Sequence, residues 1–404
     1  MPQPRIMLVS HYFEPSASTG AKRSTLLARY LADHGAGVTI VTASPAFYGE
    51  HVTARTGVRD ALAVHEVAPP RAADRLRRMG LPGRWALNYL TCRRYARAIR
   101  NAVDRDGRPD FLYFCGNPFW YFGLGRRFLR SSGIPYILDF EDLWYAGGVT
   151  YRLGHRGGVR RILDRLLEAH AVADASAVIH TTPAQTRLSR ARYGDEPGSK
   201  FWTIRWGYDE RALRDIVPAR TDAGALRLAI FGKFASYGDV DAAVLACSVA
   251  AIADDFPVEV LHIGTPEPGL ERAFAEAGVA ACLKQPGRIS YAEGLGMLAS
   301  ADGLVLNTIS EVSHPAKVYD YIGLNRPVIA IASTGSALGE LLSSFAGACV
   351  ATGPDEVTAA LRRLRAGECR ELQPGLDASE YSQQHQFGIL MDRLATLERQ
   401  GGND

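Results

Sequence analysis

Apolar runs alternate with amphipathic segments through the first half of the chain. The runs at 5–10 (RIMLVS) and 37–43 (GVTIVTA) are typical of buried strands, and residues 21–35 between them carry apolar side chains at helical spacing. Gly35 supplies a helix end, because glycine readily takes the left-handed conformation that closes many helices. A strand, a helix and a strand in this order predict a βαβ unit with parallel strands. The same alternation continues with predicted strands at 62–67, 111–115, 136–140 and 177–180.

The second half repeats this alternation after a join near residue 205. Helical patterns follow each of the predicted strands at 226–232, 258–264, 303–308 and 327–332. A chain of 404 residues is too long for one ordinary core. The fold class that fits is α/β, with two Rossmann-like doubly wound domains. The expected domains are 1–205, 206–375 and a last segment, 376–404, in which the amphipathic stretch 381–400 predicts a C-terminal helix.

Charge differs sharply between the two halves of the chain. Residues 1–205 contain 30 Lys and Arg against 17 Asp and Glu, whereas the remainder contains 16 against 26. Two regions of opposite net charge support a domain boundary near residue 205.

The overall composition is that of a globular protein, with 47% hydrophobic and 22% charged residues. Six cysteines show neither a CxxC pair nor a regular spacing, which argues against a disulfide framework and a zinc site and favours a reducing cytoplasm. The N-terminus does not resemble a signal peptide, and no segment approaches the roughly 20 apolar residues of a membrane span. We therefore expect a cytoplasmic protein.

In doubly wound sheets, ligands bind outside the carboxyl ends of the strands, so the loops at those ends are the places to look for function. The first such loop, STGAKRS at 18–24, contains Gly20 just before a predicted helix. A glycine there lets an anionic group approach the backbone and the free N–H groups of the helix N-terminus. An ordinary strand–helix turn is the alternative. The loop lacks GxGxxG, so a dinucleotide fingerprint is not supported.

Three acids follow the predicted strand at 136–140, in the stretch DFEDLW at 139–144. Carboxylates crowded at a strand end need compensating partners, which is a common property of functional sites. We predict a functional role for Asp142 and a structural one for Asp139, as a cap or a solvated side chain. A metal site and a glycosidase pair are alternatives for the cluster.

Two lysines occupy positions suited to phosphate. Lys233 comes directly after the predicted strand 226–232, where it is either a point charge for phosphate or an ordinary surface lysine. Lys317 and Asp320 lie three residues apart and share one face of a helix that we expect to begin near Pro315, with Ser313 as its cap. A pyrophosphate would bind Lys317 and the helix N-terminus, and ribose hydroxyls would donate to Asp320. The alternative is a surface ion pair worth about 0.3–0.5 kcal/mol.

Taken together, these motifs resemble those of the retaining, sugar-nucleotide-dependent glycosyltransferases of the GT-B type, and of glycosyltransferase family four in particular. The opening IMLVSHYFEPSASTGAKRSTLLARYLADHGAGVTIVTA is similar to the start of that family, EDLW at 141–144 to its RDLW element, and HPAKVYDYIGLNRPVIA to its P-S-K-x-x-E-Y segment. The resemblance covers nearly the whole chain. It implies two Rossmann-like domains facing a cleft, with a final helix that crosses back to the first domain.

The resemblance also implies roles for single residues. The first domain would bind the acceptor and the second the nucleotide sugar, with Lys317 and Lys233 on the diphosphate and Asp320 in place of the family's ribose-binding glutamate. Asp142 matches the acid of RDLW, and Glu141 stands where the family usually has Arg or His; these two are the predicted catalytic residues. The predicted donor-binding residues are Gly20, Lys233, Ser313, His314, Lys317 and Asp320.

The function expected from this resemblance is retaining transfer of a sugar from a nucleoside diphosphate, with UDP first, to an acceptor hydroxyl. No tightly bound cofactor and no metal are expected, because lysines can neutralise the departing diphosphate. A sugar-nucleotide epimerase of the same architecture and a non-catalytic sugar-nucleotide binder are the alternatives.

A basic segment suggests a partner. Residues 71–100 contain nine arginines mixed with Leu, Trp and Tyr, and 155–170 continue the basic trend. One interpretation is peripheral contact with anionic lipid on the inner face of the membrane, with a lipid-linked acceptor; a small natural product is another acceptor class. A solvated arginine-rich face is the alternative. Nucleic acid is not expected, because no nucleic-acid-binding motif accompanies the arginines.

Overall fold

The computed structural model describes residues 4–16, 18–48, 57–145, 158–194, 200–216 and 224–401. Two compact units divide the chain. Unit 1 comprises the described parts of Met1–Val149, His155–Ile204 and Phe387–Asp404, and unit 2 comprises the described parts of Arg205–Gln386. Each unit contains its own parallel sheet.

Unit 1 is built on a sheet that, in the described part of the chain, has seven parallel strands in the order β3-β2-β1-β4-β5-β6-β7. The strands are β1 (Arg5–Ser10), β2 (Gly37–Ala43), β3 (Ala63–Val67), β4 (Phe111–Cys115), β5 (Tyr136–Phe140), β6 (Ala177–His180) and β7 (Phe201–Thr203). The central strands β4 and β5 are buried along their whole length, as expected for parallel strands covered on both faces. The order reverses between β1 and β4, and the carboxyl ends at this point form a natural ligand-binding edge.

Helices connect these strands and cover both faces of the sheet. They are α1 (Thr19–Asp33), α2 (Val58–Ala61), α3 (Ala73–Arg78), α4 (Gly80–Asp106), α5 (Gly123–Ser132), α6 (Val159–Ala173) and α7 (Pro183–Tyr193), with short 3-10 turns at Pro45–Phe47 and Phe119–Tyr121. Helix α1 begins slightly earlier than its apolar spacing predicts, and Gly35 beyond it has the expected positive φ of 87°.

Unit 2 repeats the architecture with six parallel strands among its described residues, in the order β10-β9-β8-β11-β12-β13. The strands are β8 (Leu226–Phe231), β9 (Val258–Ile263), β10 (Leu283–Gly287), β11 (Gly303–Asn307), β12 (Val328–Ile331) and β13 (Ala348–Ala351). The helices are α8 (Glu210–Arg214), α9 (Asp239–Ala253), α10 (Pro268–Glu276), α11 (Tyr291–Ala299), α12 (Lys317–Gly323), α13 (Ala337–Leu342) and α14 (Pro354–Arg365), with 3-10 turns at Ala235–Tyr237, Ala280–Cys282 and Ser379–Tyr381. Two doubly wound α/β units confirm the predicted fold class.

The last helix, α15 (Gln383–Gly401), belongs to unit 1 from Phe387 onward. Its Phe387, Leu390 and Leu394 join the apolar cluster that also contains Ile6 of β1 and Leu27 of α1. The apolar side of the predicted C-terminal helix is therefore the side that is buried. The chain returns to its first unit, as expected from the sequence.

One local prediction is wrong. Helix α12 begins at Lys317 instead of near Pro315, its N-cap is Ala316, and no side chain caps it. The reason is a preceding turn in which the Val318 N–H donates to the Pro315 carbonyl, so the chain is already curled before the helix starts. Ser313 is buried ahead of that turn and does not cap the helix.

No helix in the described part of the chain has the length and apolar character needed to cross a membrane.

Candidate functional site

In unit 2, the loop that follows β8 (Gly232–Gly238, hereafter the β8 loop) is held rigidly by buried polar side chains. The Glu267 carboxylate accepts backbone N–H bonds from Phe234 and Ala235, both at 2.8 Å, and from Ser236 at 3.1 Å, together with a short bond from the Ser236 hydroxyl. The Asn307 amide donates to the Phe234 carbonyl at 3.0 Å. The conformation of the loop is therefore set before any ligand arrives.

Two glycines allow the β8 loop to leave the strand as it does. Gly232 has a φ of +70°, and Gly264, at the end of β9, has a φ of +154°. A Cβ placed on Gly264 would lie 3.2 Å from the Gly232 Cα, so the two chain segments pass close to each other at the carboxyl edge of the sheet.

Both predicted phosphate lysines meet this loop. Lys233 lies on it with an exposed side chain. Lys317, at the start of α12, donates from Nζ to the Lys233 carbonyl at 2.7 Å, and its ammonium lies 5.8 Å from the centroid of the Tyr237 ring. The structure thus brings together two lysines that are 84 residues apart in sequence.

Burial lowers the pKa of Lys317 to about 7, although the nearby Glu267 carboxylate acts in the opposite direction. Lys317 has no carboxylate ion-pair partner among the described residues, so the surface ion pair with Asp320 is not formed. Burial acts to raise the pKa of Glu267, but hydrogen bonds from Ser236 and from backbone N–H groups outweigh it and lower the pKa below the ordinary value. The half-buried Lys317 amine, at the start of α12 and against the rigid β8 loop, thus has no carboxylate in ion-pair contact, among the described residues, that would stabilise its charged form.

Asp320 lies one turn further along α12 and is buried. Its Oδ1 accepts a 2.6 Å hydrogen bond from the Tyr291 hydroxyl of α11. Burial, and then the Asp320 charge, raise the pKa of Tyr291 well above its ordinary value, so the phenol stays protonated and remains a donor. A carboxylate offers about four lone-pair positions, so this bond orients Asp320 without using its whole capacity to accept hydrogen bonds.

Helix α12 is fixed to the sheet by its next residue. The Tyr321 hydroxyl accepts from the Phe231 N–H at 3.0 Å and donates to the Val305 carbonyl at 3.3 Å, which connects the helix to both β8 and β11. Lys317 and Asp320 therefore stand on an element that cannot shift without breaking buried hydrogen bonds.

His314 is used internally. Its Nε2 lies 2.9 Å from the Ala337 carbonyl and its Nδ1 lies 2.8 Å from the Tyr319 hydroxyl. Since a carbonyl only accepts, Nε2 carries the proton and Nδ1 accepts from Tyr319. Burial lowers the pKa of His314 to about 4, which keeps the ring neutral. Ser313 beside it is also buried. Both of these predicted donor-binding residues are therefore buried, and their role in donor binding stays a prediction.

In unit 1, Glu141 follows β5 and its carboxyl group is enclosed by two glycines. A Cβ on Gly20 of α1 would lie 3.0 Å from Glu141 Oε2, and a Cβ on Gly116, which has a φ of +72°, would lie 2.8 Å from Oε1. Cys115 Sγ is 3.5 Å from Oε1, and the Thr181 hydroxyl donates to the Glu141 carbonyl at 3.2 Å. The predicted Gly20 and Glu141 are thus direct neighbours.

Burial, and then the Asp139 charge, raise the pKa of Glu141 to about 8, while Arg23 acts in the opposite direction. At neutral pH the group is mostly a carboxylic acid that can donate a hydrogen bond. Asp142, the other predicted catalytic residue, is half-buried next to it.

Asp139 is neither a cap nor solvated. It is fully buried and forms an ion pair with Arg23 of α1 at 3.0 Å, while accepting from the Tyr113 hydroxyl at 2.7 Å. Arg23 also donates to the Ile204 carbonyl at 3.2 Å. Its role is structural, as predicted, but through a core network that ties α1 to the sheet.

A further residue at this edge escaped the sequence analysis. His11, directly after β1, places Nδ1 3.1 Å from the Tyr95 hydroxyl, and rings of Phe47 and Trp120 meet it edge-on. Burial lowers its pKa to about 4, so the ring is neutral. Its position immediately after the first strand, at a carboxyl end of the sheet, is the sequence feature that could have indicated it.

Glu267 and Tyr291 were also missed. Glu267 lies in the loop after β9, again at a carboxyl end, whereas Tyr291 follows its capping Ser290 on α11 and carries no local mark of function. The described residues contain no group of three or more His, Cys, Asp or Glu that could hold a metal ion.

Comparison with known proteins gives one family profile that matches part of the chain. Residues 19–198 match the profile of the glycosyl transferase 4-like domain family. A search of curated proteins found no match.

Solved structures match over nearly the full length. Sucrose-phosphate synthase from Thermosynechococcus elongatus has a TM-score of 0.68 at 15% identity, covering 98% of this chain and 99% of that one. Anabaena HepE, solved in complex with UDP-glucose, has a TM-score of 0.64 at 12% identity, with 97% and 99% covered. A Listeria monocytogenes protein described as a UDP-N-acetylglucosamine 2-epimerase has 0.62 at 10% identity, with 98% and 97% covered. At these identities the likeness establishes the fold.

Proposed function

We propose that this chain is a GT-B glycosyltransferase of the family-four type, which transfers a hexose-type sugar from a nucleoside diphosphate to an acceptor hydroxyl with retention of configuration. UDP is the proposed nucleotide, in line with the Anabaena neighbour that was solved with UDP-glucose. The observation that carries the proposal is the arrangement in unit 2, where Lys317, with its lowered pKa, lies against the loop of Lys233 and one turn before the oriented carboxylate of Asp320.

Each of these groups suits one part of the donor. The diphosphate would lie against the exposed Lys233 and the Lys317 ammonium, since compact point charges bind phosphate oxygens well. Two ribose hydroxyls would donate to Asp320, whose Tyr291 bond holds it in place. The rigid β8 loop means that little ordering is needed when the donor binds.

The chemical step then needs little covalent participation from the protein. The bond between the sugar C1 and the diphosphate oxygen breaks, the acceptor oxygen bonds to C1 on the same face, and the leaving phosphate takes the acceptor proton. Lys317 and Lys233 would stabilise the charge that develops on the diphosphate, and positioning would supply the rest. We propose that no metal and no tightly bound cofactor are required, because the two lysines supply the positive charge.

In unit 1, we propose Glu141 and Asp142 as the residues that act on the sugar substrates. Glu141 is mostly protonated at neutral pH and can donate to a sugar oxygen, whereas Asp142 can accept from a hydroxyl. We propose that the donor also approaches the backbone at Gly20, where the missing side chain already makes room for the Glu141 carboxyl group.

We further propose that the acceptor belongs to polysaccharide, glycolipid or natural-product biosynthesis, and that the enzyme acts in the cytoplasm, on the inner face of the membrane when the acceptor is lipid-linked. Six free cysteines without disulfides support a reducing compartment.

An epimerase is the second candidate, because the Listeria neighbour is described as one. Epimerisation needs an acid and a base at the sugar ring, and the neighbouring Glu141 and Asp142 would have to serve both roles. A non-catalytic sugar-nucleotide binder is the third.

A thermal-shift panel of UDP-, GDP-, dTDP- and ADP-sugars identifies the donor, since a ligand that binds only the native state raises the melting temperature. The selected donor is then incubated with and without an acceptor panel. Transfer with retained anomeric configuration supports the proposal, a new sugar isomer from donor alone supports the epimerase, and binding without any product supports the binder. A melting temperature unchanged by all four donors would refute nucleotide-sugar binding.

A further inference from the structure

Helix α4 exposes, along its first turns, the same side that it buries further on. Eighteen residues make five turns of an α-helix, so Leu81 lies on the same side as Ile99, and Trp85 on the same side as Val103. Ile99 is completely buried in the unit 1 core and Val103 packs against it, yet Leu81 is 58% and Trp85 50% exposed. The apolar side of the helix therefore extends beyond the part that the core covers.

Helix α3 packs against the N-terminal part of α4, where the apolar side is uncovered. Gly83 of α4 passes so close to α3 that a Cβ there would lie 2.0 Å from the Leu76 carbonyl oxygen. The two helices, joined at Met79, form a tight hairpin, and its exposed apolar side chains stand on a rigid support. We call the exposed apolar residues Met79, Leu81, Trp85 and Tyr89, with the arginines around them, the hairpin surface.

The charge on the hairpin surface is almost entirely positive. All nine arginines between residues 71 and 100 are exposed: Arg71, Arg75, Arg77, Arg78, Arg84, Arg93, Arg94, Arg97 and Arg100. Asp74 is the one acidic residue in that stretch of sequence. Within the described part of the chain, the only ion pair of these arginines is Arg77 with Asp74, at 2.8 Å. The other eight arginines, on or next to the hairpin that carries the uncovered apolar stripe, have no carboxylate partner among the described residues.

We infer that the hairpin surface docks on an anionic lipid bilayer. Trp and Tyr favour the boundary between headgroups and acyl chains, and arginines beside them meet the negative headgroups. A second protein or a second copy of this chain could cover the apolar stripe, but the dense positive charge would make two copies repel each other. Docking by this surface is independent of the donor site in unit 2.

Vesicle flotation tests the inference on the full-length protein. Vesicles of phosphatidylcholine with about one third phosphatidylglycerol should carry the protein upward, and neutral phosphatidylcholine vesicles should not. Raising the salt from about 0.1 to about 0.5 M should weaken binding at least tenfold, because it screens the headgroup attraction. Absence of flotation with anionic vesicles would overturn the inference.

Charge variants locate the surface. Each cation near an anionic bilayer contributes about fivefold to binding, so Arg75→Glu with Arg84→Glu should reduce vesicle binding by at least about 25-fold. The matched control, Arg214→Glu with Arg370→Glu, makes the same charge change on exposed arginines of unit 2 and should have a much smaller effect. Equal losses in the two double variants would mean that net charge, and not the hairpin surface, governs binding.

Trp85 offers a direct readout of insertion. On anionic vesicles the tryptophan emission should shift to shorter wavelength, and Trp85→Phe should abolish that shift while retaining most of the binding. Sedimentation equilibrium tests whether a second copy of the chain covers the apolar stripe. A dimer that dissociates in the Trp85→Ala variant would assign the stripe to that second copy and overturn the lipid inference. The nucleotide-sugar melting shift of each variant should equal that of the unchanged protein.

Discussion

Each of the two units contains one ionisable group whose pKa is shifted by burial, upward in unit 1 and downward in unit 2, and both shifts favour the uncharged form. In unit 1 an acid, Glu141, is buried and its pKa rises to about 8; in unit 2 a base, Lys317, is half-buried against the β8 loop and its pKa falls to about 7. Desolvation is the leading cause in both. Each group is held near neutral pH in or close to its uncharged form, where a small change in its surroundings changes its charge.

The enclosures differ in construction. Glu141 lies against two positions without side chains, Gly20 and Gly116, and the Cys115 thiol is 3.5 Å from its Oε1. Lys317 is surrounded by a backbone carbonyl and an aromatic ring, both of which favour a cation. This contrast suits an acid that donates as a neutral group and an amine that becomes charged when an anion arrives.

The largest expected effect comes from removing the base. Lys317→Met keeps the length of the side chain and deletes the charge, so at neutral pH the affinity for the selected UDP-sugar should fall about 100-fold, roughly 2.7 kcal/mol. Isothermal titration calorimetry measures this. Lys284→Met, at an exposed lysine that pairs with Glu259, is the control and should leave the affinity unchanged. Equal affinities for Lys317→Met and the unchanged protein would remove Lys317 from the diphosphate site.

Asp320 separates ribose from diphosphate recognition. Asp320→Ala should weaken UDP-sugar binding about 30-fold, near 2 kcal/mol, because two charge-assisted hydrogen bonds are lost. Inorganic pyrophosphate, which has no ribose, should bind this variant almost as well as the unchanged protein. If pyrophosphate binding fell equally, Asp320 would be acting on the β8 loop and not on a ribose. Tyr291→Phe should give a smaller loss in the same direction, since it removes only one hydrogen bond that orients the carboxylate.

The opposite pKa shifts predict opposite pH slopes of stability. The folded pKa of Glu141 lies above its ordinary value of 4.5, so its contribution is complete below pH 4.5 and is lost as the pH rises through about 8. The folded pKa of Lys317 lies below its ordinary 10.5, so its contribution is complete above that value and is lost as the pH falls through about 7. Each slope is at most about 1.4 kcal/mol per pH unit.

Urea unfolding of the unchanged protein, Glu141→Gln and Lys317→Met between pH 5 and pH 9 checks both slopes. Relative to the unchanged protein, Glu141→Gln should gain stability as the pH rises, whereas Lys317→Met should lose its advantage over the same interval. Parallel curves for all three proteins would contradict both shifts.

The smallest expected effect tests the enclosure of Glu141. Gly20→Ala places a Cβ 3.0 Å from Glu141 Oε2 and should destabilise unit 1 by about 1 kcal/mol. In a Glu141→Ala background the crowding disappears, and the same substitution should stabilise by up to about 1 kcal/mol, because alanine is the better helix residue. A change of sign between the two backgrounds supports the enclosure; the same value in both contradicts it.

The sheets were largely predictable, and the exceptions have a common cause. The strands that the apolar pattern did not indicate, β7, β10 and β13, all lie at sheet edges. An edge strand has one neighbour and less burial, so its sequence need not be a continuous apolar run. β10 reads LKQPG and even tolerates a proline, which a central strand would not.

The candidate site was predictable only where its chemistry lies close together in sequence. Lys317 and Asp320 share one helix, so their spacing was visible, and Lys233 marked the end of a strand. Glu267 holds a loop some 31 residues away by hydrogen bonds to backbone N–H groups, which leave no trace in the side chains of that loop. The burial of His314 and Ser313 is likewise a tertiary property, and their predicted role in donor binding remains a prediction.

The path of helix α15 has a consequence for the order in which the protein can fold during synthesis. The cluster that contains Ile6 and Leu27 is completed by Phe387, Leu390 and Leu394. Most of unit 1 is therefore synthesised before unit 2 but is completed after it, because its apolar cluster needs residues 387–394. A chain truncated before residue 387 would therefore have a first unit that lacks part of its core.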